Sequence, residues 1–296
     1  MAAALWMLLA SFLFAAMGVC VKLASALYST SEIVFYRGLI GVILIPLLVR
    51  WRGGSLRTAH PFEHTYRGTV GVISLWLWFF AIASLHLATA VTLNYMAPIW
   101  MAVYLLALGW FKAHKKVDPA LVVAILASFA GVVLILQPAF SSHQWLGGVA
   151  GVASSMISAL AYLQIRRLSQ LGEPEYRIVF YFALVTVVVG GVSTLFEGGF
   201  HRPDLYHAAL LFGTGLLATV AQLAMTRAYR LGKVLVVANL AYTGIIFSSL
   251  WGLILWGDAF DWHVWLGMAI ILLSGVAATF YNSRGTAPSS APLDNE

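Results

Sequence analysis

Charge is what this chain of 296 residues has least of: Asp, Glu, Lys and Arg make up 9% of it, where a soluble domain carries about a quarter. That scarcity excludes a water-soluble fold. With 61% hydrophobic residues and a mean hydropathy of +0.89, the chain reads as a polytopic membrane protein. Cysteine is almost missing as well: Cys20 is the single thiol, so no intrachain disulfide and no thiolate metal site can form. There is no Gly-rich loop followed by Lys-Ser or Lys-Thr, which removes ATP-driven transport within the chain. There is no His-Glu-x-x-His, no clustered carboxylates and no Gly-x-Ser-x-Gly elbow. No cofactor, metal ligand or catalytic residue is expected, and the chain is not expected to be an enzyme. Acidic residues also avoid the middle of every apolar run. Glu32, Glu197, Asp204, Asp258 and Asp261 read as near one surface, and Glu63, Asp118, Glu173 and Glu175 as near the other. Carriers that couple to protons commonly use intramembrane carboxylates or histidines, so uniport or exchange fits better than proton antiport through a buried carboxylate.

What is present is apolar length. Ten stretches can each cross a hydrocarbon core of roughly 30 Å: near 4–27, 33–49, 68–86, 89–110 and 119–137, then 147–168, 176–196, 206–229, 234–256 and 263–282. Ala24-Ser25-Ala26 has the shape of a signal-peptide cleavage site, but the first run lacks a basic n-region, and losing it would leave one half a helix short. Thirteen of the 17 Lys and Arg residues fall in connections after even-numbered spans, Arg67, Lys115, Arg166, Arg177 and Arg230 among them. Both termini are therefore expected in the cytoplasm, the protein in the cell inner membrane, and the basic pI is a topology signal rather than a sign of nucleic-acid binding.

The same pattern occurs twice. Ala81 through Tyr95 matches Ala228 through Tyr242 in spacing and apolar texture, 147 positions on, but only the second copy carries basic residues, Arg227, Arg230 and Lys233, in its hairpin. An odd number of spans per half forces two copies in series to insert with opposite orientation. The expected fold is thus all-α, ten transmembrane helices as two inverted five-helix repeats, residues 1–140 and 141–282, with 283–296 a polar tail too hydrophilic to pack.

Phe35-Tyr-Arg-Gly38, Asn94-Tyr-Met-Ala-Pro98, the Ala228–Tyr242 segment, Gly257-Asp258 and the glycines Gly267 and Gly275 give the chain a family likeness. From about residue 4 to residue 282 it resembles a pair of EamA-type modules of the drug/metabolite transporter superfamily. That resemblance implies ten helices, inverted repeats, a central cavity, and export of amino acids or related metabolites. The chain departs from the family at Gly257-Asp258, where glycine-glutamate is common, and at Phe111-Lys112, the equivalent turn of the first half.

Three sets of residues could bind a solute. Lys22 and Arg37 are charges within or near spans, where a charge costs about 2.5 to 3.5 kcal/mol by insertion scales. Lys22 reads as an electropositive spot for a carboxylate, or as a side chain snorkelling to the surface or pairing with Glu32; Arg37 reads first as structural. Trp76, Trp78 and Trp100 sit mid-span, away from the interfaces tryptophan prefers. They could wall a cavity, although Trp76 and Trp78 point to different sides and at least one fits packing or lipid. Asn94 and Tyr95 before Pro98, Asn239 and Tyr242 early in the ninth span, Gln222 in the eighth, and Tyr162 in the sixth could hydrogen-bond a solute or bond helix to helix. Pro98 frees the carbonyl of Asn94. The stripe Gly147, Gly151, Ser155, Ala159 reads as a close helix contact.

The expected function is transport of a small organic solute by alternating access at a midplane site, by a monomer or weak dimer. The alternatives are an uptake carrier or exchanger for a nucleoside-like or cationic metabolite and, from another class, a membrane-embedded enzyme or assembly factor.

Overall fold

The computed structural model describes residues 2–85, 92–112, 119–136, 145–202, 204–257 and 261–284. Apart from the connections between helices, the described residues are helical. They form α1 (Ala2–Ala24), α2 (Thr30–Trp51), α3 (Pro61–Ser84), α4 (Ala97–Lys112), α5 (Pro119–Leu136), α6 (Trp145–Gln170), α7 (Glu175–Phe196), α8 (Leu205–Leu231), α9 (Val234–Ala241), α10 (Thr243–Trp256) and α11 (Trp262–Arg284). Six stretches are long and apolar enough to cross a membrane, the α9–α10 pair counting as one, and three shorter apolar helices accompany them. The surface is inverted relative to a soluble protein: Leu5, Leu47, Val188, Leu195 and Leu273 are exposed while Glu32, Ser128, Ser154 and Thr214 are buried. That is how a chain sits when its solvent is hydrocarbon.

Helix ends follow local chemistry. Ser29 and Glu32 form a capping box at the start of α2. Pro61 opens α3 and Pro119 opens α5, as suits a residue without an N–H in the first turn. Asp204 accepts from the His207 N–H to cap α8. Gly257 ends α10 at φ 69°, a left-handed conformation that a side chain would strain.

Three spans differ from their expected form. The third begins at Pro61 rather than near residue 68, so Arg67, expected in a connection, lies two turns inside α3 and is 3% exposed. The fourth and ninth are interrupted. A helical turn over 92–94 gives way at Tyr95–Met96 before α4 resumes, and α9 stops at Ala241 before α10 restarts at Thr243. The first break has a covalent cause, since Pro98 offers no N–H to Asn94. The second has a side-chain cause: the Thr243 hydroxyl donates to the Leu240 carbonyl at 2.7 Å, and the Tyr242 N–H tightens onto Asn239 and Leu240.

Packing runs between the halves. The dominant pairs are α1 with α8, α3 with α6, α2 with α7 and α5 with α11, followed by α2 with α8, α3 with α7, α1 with α10 and α4 with α6. If each helix is exchanged for its counterpart five spans away, this set maps onto itself. At the α5–α11 crossing the relation is atomic: a Cβ on Gly131 would meet the Gly267 carbonyl at 2.7 Å, and one on Gly267 would meet the Gly131 carbonyl at 2.6 Å. The small stripe of α6 packs as expected, with Gly147 against Ser84 and Leu85, Gly151 against Leu93, and Ala159 fully buried.

The connections sort by charge. Thr58 reaches Glu173, Arg177 reaches the Ser55 carbonyl, Arg230 pairs with Glu175 and Arg166 donates to the Tyr229 carbonyl, so the α2–α3, α6–α7 and α8–α9 connections share one end, rich in arginine. Ala3 lies at that end, beside Gly232. Ser29, Glu32, Glu197, His201 and Asp204 occupy the other, acidic end. His86, the joint over 137–144, Lys115, Lys116, Asp258 and the tail from 285 lie outside the described residues.

Candidate functional site

At the middle of the bundle the two broken spans meet. Tyr95, at the first break, stacks on Tyr242, at the second, with ring centroids 6.0 Å apart and planes 25° from parallel. Tyr162 of α6 stacks on Tyr229 of α8 at 5.8 Å and 15°. The two stacks are neighbours, Tyr162 standing close to Tyr95 and Tyr229 close to Tyr242. Around Tyr242 the polar groups are buried and unsatisfied. Among the described residues its hydroxyl, both side-chain amide atoms of Asn239 and the Ser11 hydroxyl find no hydrogen-bond partner, and these residues are at most 3% exposed. Such a group costs about 1–3 kcal/mol when it has lost water and gained nothing.

Beside this cluster stand two arginines. The Arg67 guanidinium lies 4.2 Å from the centre of the Phe182 ring and that of Arg37 lies 5.9 Å from it, so one aromatic ring carries two cations. Tyr162 is within electrostatic reach of both. Gly71 makes the space, because a Cβ there would collide with Arg67 Nη1 and fall 2.9 Å from Phe182. Arg37, Gly38, Phe182, Ala183, Thr186, Thr219 and Gln222 line a cavity between α2, α7 and α8, which leaves ≈ 20 Å³ for the centres of water molecules. That is room for a water or two and too little for a metabolite.

Both ends are tied shut between halves. At the acidic end the Glu32 carboxylate, fully buried, accepts the His201 N–H at 2.6 Å and lies 2.7 Å from His201 Nδ1, while Ser31 donates to Glu197 at 2.7 Å. Tyr28 packs edge-on against His201 and His207 there. At the arginine-rich end Glu63 of α3 is paired with Arg167 at 2.6 Å and receives the Gln164 amide. Glu173 sits beside it with Thr58 at 2.6 Å, Arg177 at 2.8 Å and His64 at 3.1 Å. Burial pushes the Glu173 carboxyl up, but the hydrogen bonds from Thr58 and Arg177, with His64 close by, outweigh it and hold it below the ordinary carboxylate range.

Of the residues singled out from the sequence, Tyr95, Tyr162, Asn239 and Tyr242 converge on the centre, and Gln222 lines the cavity. Asn94 is half-buried one residue before the first break. Trp100 is half-buried and its indole N–H donates to Ser155 of α6 at 3.1 Å. Trp78 is half-buried; Trp76 is 40% exposed and faces outward, while Lys22 is exposed in the last turn of α1. Sequence reasoning gave Arg37 a structural role and placed Arg67 in a connection. The signal that marks Arg67 is Gly68 and Gly71 beside it, which let α3 come close to Val185 and Phe182 of α7.

Comparison with known proteins places the chain among membrane carriers. The model of the EamA-like transporter family matches residues 1–137. A pseudopaline exporter, CntI, of Pseudomonas aeruginosa is 32% identical over 270 residues, which cover 91% of this chain and 93% of that protein. A riboflavin transporter of Rhizobium johnstonii is 28% identical, covering 91% and 88% of the two chains. An S-adenosylmethionine uptake transporter of Rickettsia bellii is 22% identical, covering 90% and 89%. A crystal structure of a protein with 19% identity superposes at a TM-score of 0.82, covering 96% of this chain and 99% of that one, which shows the same fold.

Proposed function

We propose that this chain, which belongs to the EamA-like transporter family, carries a small organic solute across the cell inner membrane by alternating access, at a mid-bilayer site between two inverted five-helix repeats. The observation that carries the reading is the meeting of the two helix breaks. Tyr95 and Tyr242, 147 positions apart in the repeat, stack on each other, and the Asn239 and Tyr242 polar atoms beside them are buried and unbonded. Interrupted helices at membrane depth persist where they are enclosed by protein or face a cavity, and carriers place solute sites at such interruptions. The exchange symmetry of helix pairing supports the repeat, and the arginine-rich end, with the N-terminus, is assigned to the cytoplasm.

In this reading the structure is closed at both ends. Opening toward the cytoplasm separates Glu63 from Arg167 and the Glu173 cluster from the α2–α3 connection; opening outward separates Glu32 from His201. The solute biases the exchange by its differential affinity for the two forms. Its class is an amino acid or related metabolite and its direction is export, as for the pseudopaline exporter. The protein works as a monomer or weak dimer without a cofactor. The second reading is uptake of a ring-bearing metabolite; the two tyrosine stacks favour it, and relatives are named as riboflavin transporters. Counterflow of radiolabelled amino acids and of riboflavin in proteoliposomes separates the two. Saturable flux of an amino acid supports the first reading, whereas flux of riboflavin alone supports the second. Product formation without flux would point to an enzyme and overturn both.

A further inference from the structure

Arg37 and Arg67 present an electrostatic problem that the protein does not solve by itself. They act on each other as like charges, they share the Phe182 ring, and among the described residues no carboxylate pairs with either. Arg67 is 3% exposed, yet its Nε and Nη1 have no hydrogen-bond partner among the described residues. A guanidinium is a planar group whose N–H donors match carboxylate oxygens, and here two of its three nitrogens are buried without a partner. Gly71 keeps room for it, and Thr186, Thr219 and Gln222 give the adjoining cavity a polar wall.

We infer that Arg37 and Arg67, held against Phe182, form an anion subsite that takes a carboxylate group of the carried solute. The inference rests on the transport reading and narrows its substrate class to organic carboxylates. A bound carboxylate offsets one of the two like charges and gives a free donor of Arg67 an acceptor. A neutral solute leaves both cations uncompensated, and a cationic one is repelled by them. A lipid phosphate offers the same oxygen chemistry, so the source of the anion has to be distinguished by experiment.

Thermal denaturation of the purified protein is measured in a neutral detergent with glutamate, succinate and citrate as carboxylate probes and with riboflavin and choline as controls. It is repeated in phosphatidylcholine nanodiscs with and without phosphatidylglycerol. At least one carboxylate should raise the melting temperature saturably, and Arg67→Gln should weaken its apparent affinity at least ten-fold. Gly71→Ala, whose Cβ displaces the guanidinium without removing the charge, should do the same; it carries the comparison if Arg67→Gln fails to purify as a folded protein. The inference is overturned if no carboxylate stabilises the protein, if both variants bind as tightly as wild type, or if only phosphatidylglycerol stabilises. Proteoliposome flux keeps the two levels apart: transport of riboflavin or choline without carboxylate binding sinks the anion subsite alone, and carboxylate binding without flux of any solute sinks the transport reading alone.

Discussion

Tyr95 and Tyr242 stack on each other at the two helix interruptions, and the Tyr242 hydroxyl, fully buried, finds no hydrogen-bond partner among the described residues. A residue kept only for packing would do better as phenylalanine. Tyr242→Phe is therefore expected to leave the melting temperature unchanged or raise it, since it removes an unsatisfied buried hydroxyl worth about 1–3 kcal/mol, while solute flux falls at least several-fold. Thermal denaturation and counterflow on the same preparation check both halves of the statement.

The reciprocal glycines at the α5–α11 crossing give a stability prediction independent of transport. Gly131→Ala or Gly267→Ala drives a methyl group into a facing backbone carbonyl 2.6–2.7 Å away, and backbone cannot swing aside as a side-chain tip can. Each change should cost about 1–3 kcal/mol as overpacking, visible as a lower melting temperature. At Gly18, where no atom approaches, alanine should cost nothing of that kind.

Glu173 sets an acid limit at the arginine-rich end. Its carboxyl is held below the ordinary value of 4.5 despite burial, because Thr58, Arg177 and His64 converge on the charged form. A group whose folded value is depressed contributes stability above its unfolded value and loses it as pH falls through the folded one. Melting temperature should therefore fall below about pH 4.5. Glu173→Gln should lower it at neutral pH and flatten the acid decline, and an unchanged pH profile would contradict the assignment.

Cys20, the single thiol of the chain, lies in α1 near the acidic end, where Gly213 of α8 packs against it. It is a natural reporter of opening at that end. Glu32→Gln weakens the tie to His201 and should raise the rate of Cys20 alkylation by a membrane-permeant maleimide, whereas Glu63→Gln, which loosens the opposite end, should lower it. Equal rates in both variants would contradict a two-ended gate.

Much of the fold was legible in the sequence because hydrocarbon demands apolar length, and ten such lengths stand out. The break at Tyr95 was legible in Pro98, whereas the break at Tyr242 was not, because a threonine hydroxyl bonding back one turn has no sequence signature comparable to a missing N–H. Tyr95, Tyr162, Asn239 and Tyr242 were found as polar residues inside apolar runs. Arg67 was missed because α3 starts at Pro61, earlier than hydropathy alone suggests, and a charge near a span end reads as a connection until the helix is seen to continue past it. Trp76 stood out by its residue type, but its direction depends on helix phase, and α3 turns it outward.

The most direct test of a solute site between the halves is counterflow of radiolabelled carboxylates and amino acids in proteoliposomes of wild type, Tyr242→Phe and Arg67→Lys. Saturable, trans-stimulated flux in the wild type, reduced at least several-fold in both variants while each remains folded and inserted, is the predicted result. Flux that both variants leave at the wild-type level would contradict it.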